Sequence, residues 1–322
     1  MVLIQAYRTA AFSAFGILHF SRGAFLEHMK RFNEADTRVD MTGKNCIITG
    51  SNSGIGFETA KALASRGATV YMVCRNKERG EDAVSRIKSE TGNESVHLKV
   101  CDLSSLDQIK HCAKDFATSN SPLHVLVNNA GLMEHERVIT TDGLELNFAV
   151  NVVGVYAMTE MLLPSLKKAA PEARVITVSS GGMYTSPLTS DLQFEEGKFD
   201  GTVQYANNKR IQVALTEKWA EDFKGTGVSF YSMHPGWADT PAVAKSLPQF
   251  KDTFQNKLRT PEQGADTVVW LATQPNEKLN SGSFYFDRME ARKHLPFCGT
   301  VYTPQLLNSI VESIKSICKL SV

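Results

Sequence analysis

Eight residues, Thr49-Gly50-Ser51-Asn52-Ser53-Gly54-Ile55-Gly56, separate a short β-branched run from a helix-forming stretch. The run, Cys46 to Thr49, reads as a strand, and the stretch Ile55 to Arg66 reads as a helix that stops at Gly67. A side chain on the loop glycines would keep a pyrophosphate away from backbone N–H groups at a helix N-terminus. In an arbitrary loop this spacing is a plain turn about half the time. With a strand before it and a helix after it, the dinucleotide reading prevails. A chain that opens its folded core this way is committed to a strand–helix–strand repeat.

The rest of the chain repeats that pattern. Thr69–Val73, Val96–Val100, Leu123–Val127, Arg174–Val178 and Val228–Met233 read as further strands, and Phe284–Phe286 as a seventh. The stretch Arg75 to Glu90 reads as a charged amphipathic helix. Apolar strands alternating with helices indicate a parallel sheet covered on both faces. The fold class expected is α/β, a single doubly wound domain with a mostly parallel seven-stranded sheet. Its divisions are expected at 1–40 for an N-terminal extension, 41–290 for the domain and 291–322 for a C-terminal tail with a helix.

Composition narrows the function. Lys plus Arg exceeds Asp plus Glu by 35 − 34 = 1, so charge gives no case for a nucleic acid partner. The six cysteines form no C-x-x-C pair and none has metal-ligand spacing with a histidine, so no metal site is expected. They read as buried thiols of a reducing compartment.

The spacing T-G-x-x-x-G-x-G resembles that of the short-chain dehydrogenase/reductase family, from this loop to about residue 290. Other motifs agree with it in order, each after its strand: Asp102-Leu103, Asn128-Asn129-Ala130-Gly131, Pro235-Gly236 and then Thr240. The resemblance implies a Rossmann fold that binds a nicotinamide dinucleotide. It implies cofactor contacts from Gly50, Ser51, Asn52, Ser53, Gly54, Ile55 and Gly56, with Asp102 and Leu103 beside the adenine. Asn129, Ala130 and Gly131, then Pro235, Gly236 and Thr240 at the nicotinamide carboxamide, complete that set.

Which dinucleotide is read at the end of the second strand, Val73-Cys74-Arg75-Asn76. An NAD enzyme carries an acid there for the ribose 2′-hydroxyl, and none is present. Arg75 offers a guanidinium suited to a 2′-phosphate. NADP(H) is therefore expected over NAD(H), and by resemblance the reducing direction.

Tyr205 and Lys209 stand four apart, on one face of a helix. A phenol titrates near pH 10 and must be acidified to exchange a proton near neutrality; a neighbouring cation favours the phenolate. Lys209 is expected also to hold the nicotinamide ribose. Ser180, at the end of the fifth strand, can hydrogen-bond the substrate oxygen, with Ser179 the competitor. The resemblance favours Ser180 and adds Asn151 as the residue that holds a proton-relay water. Asn151, Ser180, Tyr205 and Lys209 form the expected catalytic set, while His234 and Trp237 read as structural or pocket-lining.

Ser180 and Tyr205 are 25 residues apart, farther than in classical members. The long gap, Gly181 to Gln204, resembles the retinol-dehydrogenase-like branch and is expected to run beside the substrate pocket, with Ala242 to Leu258 as a lid. The branch suggests a lipophilic carbonyl or alcohol substrate. The family also allows a homodimer through Tyr205's helix. A silent NADP(H)-binding sensor or scaffold is the alternative, although the four catalytic positions are filled.

Val2 to Phe20 is apolar but interrupted by Gln5, Arg8, Thr9, Ser13 and His19, short of a bilayer span. Three readings stay open for it: a mitochondrial presequence, a helix on a membrane surface, or an extension packed on the domain. Location is expected to be cytoplasmic, with mitochondrial or membrane-associated alternatives.

Overall fold

The structure, a computed structural model, describes residues 2–319. Two helices lead the chain, α1 (Val2–His19) and α2 (Arg22–Met29). Then β1 (Asn45–Thr49), α3 (Gly54–Ala64), β2 (Thr69–Cys74), α4 (Lys77–Thr91), β3 (Val96–Val100), α5 (Leu106–Thr118) and β4 (Val125–Asn128) alternate. The short α6 (Leu146–Phe148) runs through a π turn, Ala149–Val153, into α7 (Gly154–Lys168). There follow β5 (Arg174–Val178), α8 (Gly201–Asp222), β6 (Ser229–Met233), α9 (Pro241–Ser246), α10 (Pro248–Phe254) and α11 (Pro261–Thr273). β7 (Phe284–Phe286), β8 (Met289–Glu290) and α12 (Pro304–Cys318) end the chain.

The strands order as β3-β2-β1-β4-β5-β6-β7-β8, parallel as far as β7. The eighth strand corrects the seven expected from sequence. It pairs antiparallel with β7 across the two-residue turn Asp287-Arg288, whose φ angles are +47° and +59°. Such a turn is normally written with Asn-Gly or Asp-Gly. Here Asp287 is held from outside, by a buried ion pair with Arg259 at 2.5 Å, so the turn left no local signature.

Period-two alternation sorts each central strand between two cores. In β1, Cys46 and Ile48 face the α3, α4 and α11 side, while Ile47 faces the α5, α7 and α8 side. The helical stretch Leu146–Lys168 is long and apolar enough to cross a membrane, but 83% of its apolar window is buried in the second core. The order reverses between β1 and β4, and a crevice opens there beyond the carboxyl ends of the strands.

A third, aromatic cluster joins the ends of the chain. Phe20, 1% exposed, packs edge-on to His234, Trp237 and Phe286, and Phe15 does so to Tyr184. Arg259 also donates to Phe20 O and His19 O, each at 2.9 Å. Arg8 donates to Cys298 O at 2.6 Å. The N-terminal segment is thus packed on the domain. On the far side, α12 lays Leu307, Ile310 and Ile314 on the core formed by α7 and α8.

Candidate active site

The glycine loop is held from below by β4. Thr49 Oγ1 accepts the N–H groups of Asn129 and Ala130, both at 3.0 Å. Asn129 Nδ2 in turn donates to Thr49 O and Gly50 O. A Cβ on Gly56 would lie 2.4 Å from Asn129 Nδ2 and 2.5 Å from Gly50 O, and one on Gly50 would lie 2.9 Å from Ala130 Cα. These glycines therefore serve close backbone approach, and Gly50 and Gly54 also sit at φ +63° and +58°.

At the helix start, Ser53 makes no side-chain cap bond, whereas Asn76, Ser105 and Thr260 cap α4, α5 and α11. The bare N-terminus of α3 fits the pyrophosphate of a dinucleotide. Ser51 is buried with its hydroxyl on Ile48 O at 2.9 Å, so it offers the crevice no side chain. Gly56 likewise lies beneath the loop.

One cavity of about 1370 Å³ runs from this loop across the sheet. Its nucleotide end is lined by Gly50, Asn52, Ser53, Gly54 and Ile55, with Arg75, Asp102 and Leu103 farther out. Arg75 stands before the Asn76 cap of α4, exposed and outside the helix. Asp102 is fixed by accepting Ser104 N and Oγ on Oδ1. Asn129, Ala130, Gly131, Pro235, Gly236 and Thr240 line the middle. Thr240 caps α9, and its methyl lies 3.3 Å from where a Cβ on Gly54 would stand.

Beyond them come Ser180, Tyr205 and Lys209. Tyr205 and Ser180 line the same stretch of the cavity wall. Burial pushes the Tyr205 phenol above its ordinary pKa, and the neighbouring Ser180 side chain opposes that shift. Ser179 is excluded from this role: it is 3% exposed and its hydroxyl donates to Lys209 O at 2.8 Å.

Lys209 Nζ lies 5.4 Å from the centre of the Tyr205 ring and donates to Val178 O at 2.9 Å and Gln212 Oε1 at 3.2 Å. Burial brings its pKa down to about 7. Asn151 sits in the π turn and does not reach the cavity: it is wholly buried, with its amide on both backbone groups of Leu132. It stays adjacent to the site, because a Cβ on Gly131 would meet Asn151 Oδ1 at 3.1 Å and Lys209 Nζ at 3.3 Å.

The far end of the cavity is apolar. Ala242–Leu258 folds as α9 and α10 above it, with Leu247, Phe250 and Phe254 turned inward. Ser246 Oγ donates to Met133 O at 2.9 Å, fastening this lid to the β4 side. From α1 come Phe12 and Ile17, with Gln5, Arg8 and Thr9 at the rim. His234 is a wall residue: its Nδ1 accepts Gly181 N–H at 2.9 Å and its ring stacks on Phe286. Burial and Arg259 hold it neutral, well below the ordinary histidine range.

Three contributors escaped the sequence reading. The α1 wall carries no motif. Gln212 lies one turn after Lys209, at a position with no separate signal. Glu145, wholly buried, accepts Asn147 N and Phe148 N at 2.8 Å and Gln204 Nε2 at 3.0 Å, and so joins the α6 start to α8. An acid capping a helix three residues ahead of an apolar run was the one signal available.

The short chain dehydrogenase family profile matches residues 44–250, the glycine loop and the Tyr205–Lys209 pair included. The chain belongs to that family. Human dehydrogenase/reductase SDR family member 12 is 42% identical to it over 318 residues, covering 98% of this chain and 99% of the relative. Human retinol dehydrogenase 11 is 36% identical over 251 residues, 77% of this chain and 79% of the relative. A solved short chain dehydrogenase/reductase family protein superposes with a TM-score of 0.61 at 26% identity, covering 77% of this chain and 96% of that one. As a short-chain dehydrogenase, the chain is an oxidoreductase with an NAD(P)-binding Rossmann domain that interconverts CH–OH and C=O.

Proposed function

We propose that this short-chain dehydrogenase uses NADP(H) to interconvert a carbonyl and an alcohol on a lipophilic small molecule. The observation that carries this reading is one continuous cavity, polar and glycine-lined at one end, apolar at the other, with Tyr205 and Ser180 between them. The Gly50–Gly56 loop, Asp102, Asn129 to Gly131, Lys209, Thr240 and Arg75 would hold the dinucleotide, Arg75 at the 2′-phosphate. That cofactor supplies the hydride.

The protein supplies the proton and the positioning. Ser180 fixes the substrate oxygen, and Tyr205 donates its O–H proton to that oxygen as negative charge develops. Lys209 holds positive charge behind the phenol and stabilises the phenolate left behind. Asn151 anchors the Leu132 backbone beside Gly131 and so keeps the floor of this centre in place. Phe12, Ile17, Trp237, Phe250 and Phe254 favour an apolar substrate body, and the branch containing retinol dehydrogenase 11 supports that class.

The outward face of α1 supports a peripheral membrane contact as well, with Leu3 87% and Leu18 69% exposed. Liposome flotation of the full chain and of Leu3→Gln/Leu18→Gln tests this; equal flotation of both removes it.

The main test follows NADPH oxidation over a panel of lipophilic aldehydes and ketones, with Tyr205→Phe as control. Turnover that falls by about 10³-fold in the variant, with NADPH binding kept, is expected. Tight NADPH binding without turnover of any carbonyl would instead make the protein a silent binder.

A further inference from the structure

Gln212 bridges Lys209 and Asn151, the residue to which the resemblance assigns a relay water. Its Nε2 donates to Asn151 O at 2.6 Å, and its Oε1 accepts from Lys209 Nζ at 3.2 Å. The amide cannot be turned round. Asn151 O can only accept, so Nε2 must face it; Lys209 can only donate, so Oε1 must face Lys209. Gln212 is wholly buried, and both ends of its amide are used.

Among the described residues no carboxylate pairs with Lys209. It is surrounded by Val178 O from β5, Gly131 after β4, the Asn151 side chain from the π turn, and Gln212 and the Tyr205 ring on its own helix. The two carbonyl dipoles of Val178 and Gln212 are therefore what offsets the burial of its charge.

We infer that Gln212 is a positioning residue that fixes the Lys209 ammonium behind Tyr205 and closes the proton route through Asn151, so that Tyr205 regains its proton from water on the cavity side. This rests on the reading of Tyr205 as the proton donor. An amide in this pose has no proton to give at Oε1 and no lone pair for one at Nε2, so it cannot relay as water does. In the step itself the Tyr205 O–H bond breaks as the new O–H bond on substrate forms. The phenolate then takes a proton from a cavity water or hydronium, which leaves as hydroxide or water.

Two variants of the full-length protein test this. Gln212→Met keeps the volume and removes the amide's donor and acceptor, leaving the Val178 carbonyl on Lys209; Gln212→Ala leaves room for water between Lys209 and Asn151. Phenolate absorption, titrated with pH and corrected with Tyr205→Phe, reads Tyr205 without turnover. In Gln212→Met its midpoint should rise by about one pH unit, and kcat should fall about tenfold with KM within twofold. The proton inventory of kcat in mixed light and heavy water should be linear for the parent and become curved in Gln212→Ala.

A curved inventory in the parent overturns the closed route. Parent-like phenolate midpoint and kcat–pH profile in both variants reduce Gln212 to packing. If no carbonyl turns over, the functional reading fails, yet the phenolate titration still decides whether Gln212 sets the charge behind Tyr205.

Discussion

The two ends of the cavity are built by opposite means. The nucleotide end is made of backbone: the Thr49 hydroxyl and the Asn129 amide lock a bare loop, and three glycines let strand, helix and loop touch. The substrate end is made of rings brought from distant parts of the chain, Phe12 from the start, Trp237 from the loop after β6, Phe250 and Phe254 from the lid, with Phe20 and Phe286 packed behind them. Directional hydrogen bonds between closely packed backbone positions admit few substitutions. Apolar contact is non-directional, so a pocket of rings can be reshaped without disturbing the chemistry next to it.

That contrast can be broken first at its rigid end. Gly56→Ala places a Cβ 2.5 Å from Gly50 O, where only backbone could yield. NADPH affinity should fall at least about 100-fold, with a stability loss of about 1–3 kcal/mol by urea unfolding. An unchanged Kd would mean the loop is far softer than its bonding implies.

Arg75→Ala touches no packing, since Arg75 is exposed and lies outside α4. The ratio of NADPH to NADH affinity should drop about 10- to 30-fold, one charge-assisted bond, with NADH binding held. A ratio that does not move would assign 2′-phosphate recognition to another group, Arg79 being next along the same wall.

At the apolar end, Phe12→Ala should raise KM for a lipophilic carbonyl about tenfold while NADPH binding stays at the parent value. Loss of both together would show that the two ends are not independent.

The smallest effect is a pH dependence. His234 is held neutral in the fold, with its pKa well below 6.5, whereas the unfolded chain titrates near 6.5. Below that pH the unfolded state binds the extra proton, so stability should decline as pH falls from about 6.5, by at most about 1.4 kcal/mol per unit. His234→Asn should flatten this part of the curve in urea titrations at successive pH values.

The same contrast governs what could be read in advance. The sheet and the placing of the glycine loop, Arg75 and Ser180 on one cavity were legible because each follows its own strand at short spacing, and Tyr205 and Lys209 because they stand four apart on one helix. Ser179 and Ser180 could not be separated by residues alone; the bond from Ser179 to Lys209 O, thirty positions away, separates them. The β7–β8 hairpin was missed because its turn is held by Arg259 and not by turn residues. The α1 wall was missed because an interrupted apolar helix has the same pattern whether it meets lipid or protein. Nothing in Val2–His19 states that Gly16 rests on Trp237, where a Cβ would come within 2.5 Å of the indole.

The last helix has a consequence for how this enzyme depends on its own concentration. α12 covers parts of α7 and α8, including the helix of Tyr205, through which the family resemblance allows a second copy to dock. A surface closed by the chain's own tail is closed in a first-order process, at one fixed effective concentration. The packing of α12 on α7 and α8 is intramolecular, so dilution leaves it in place.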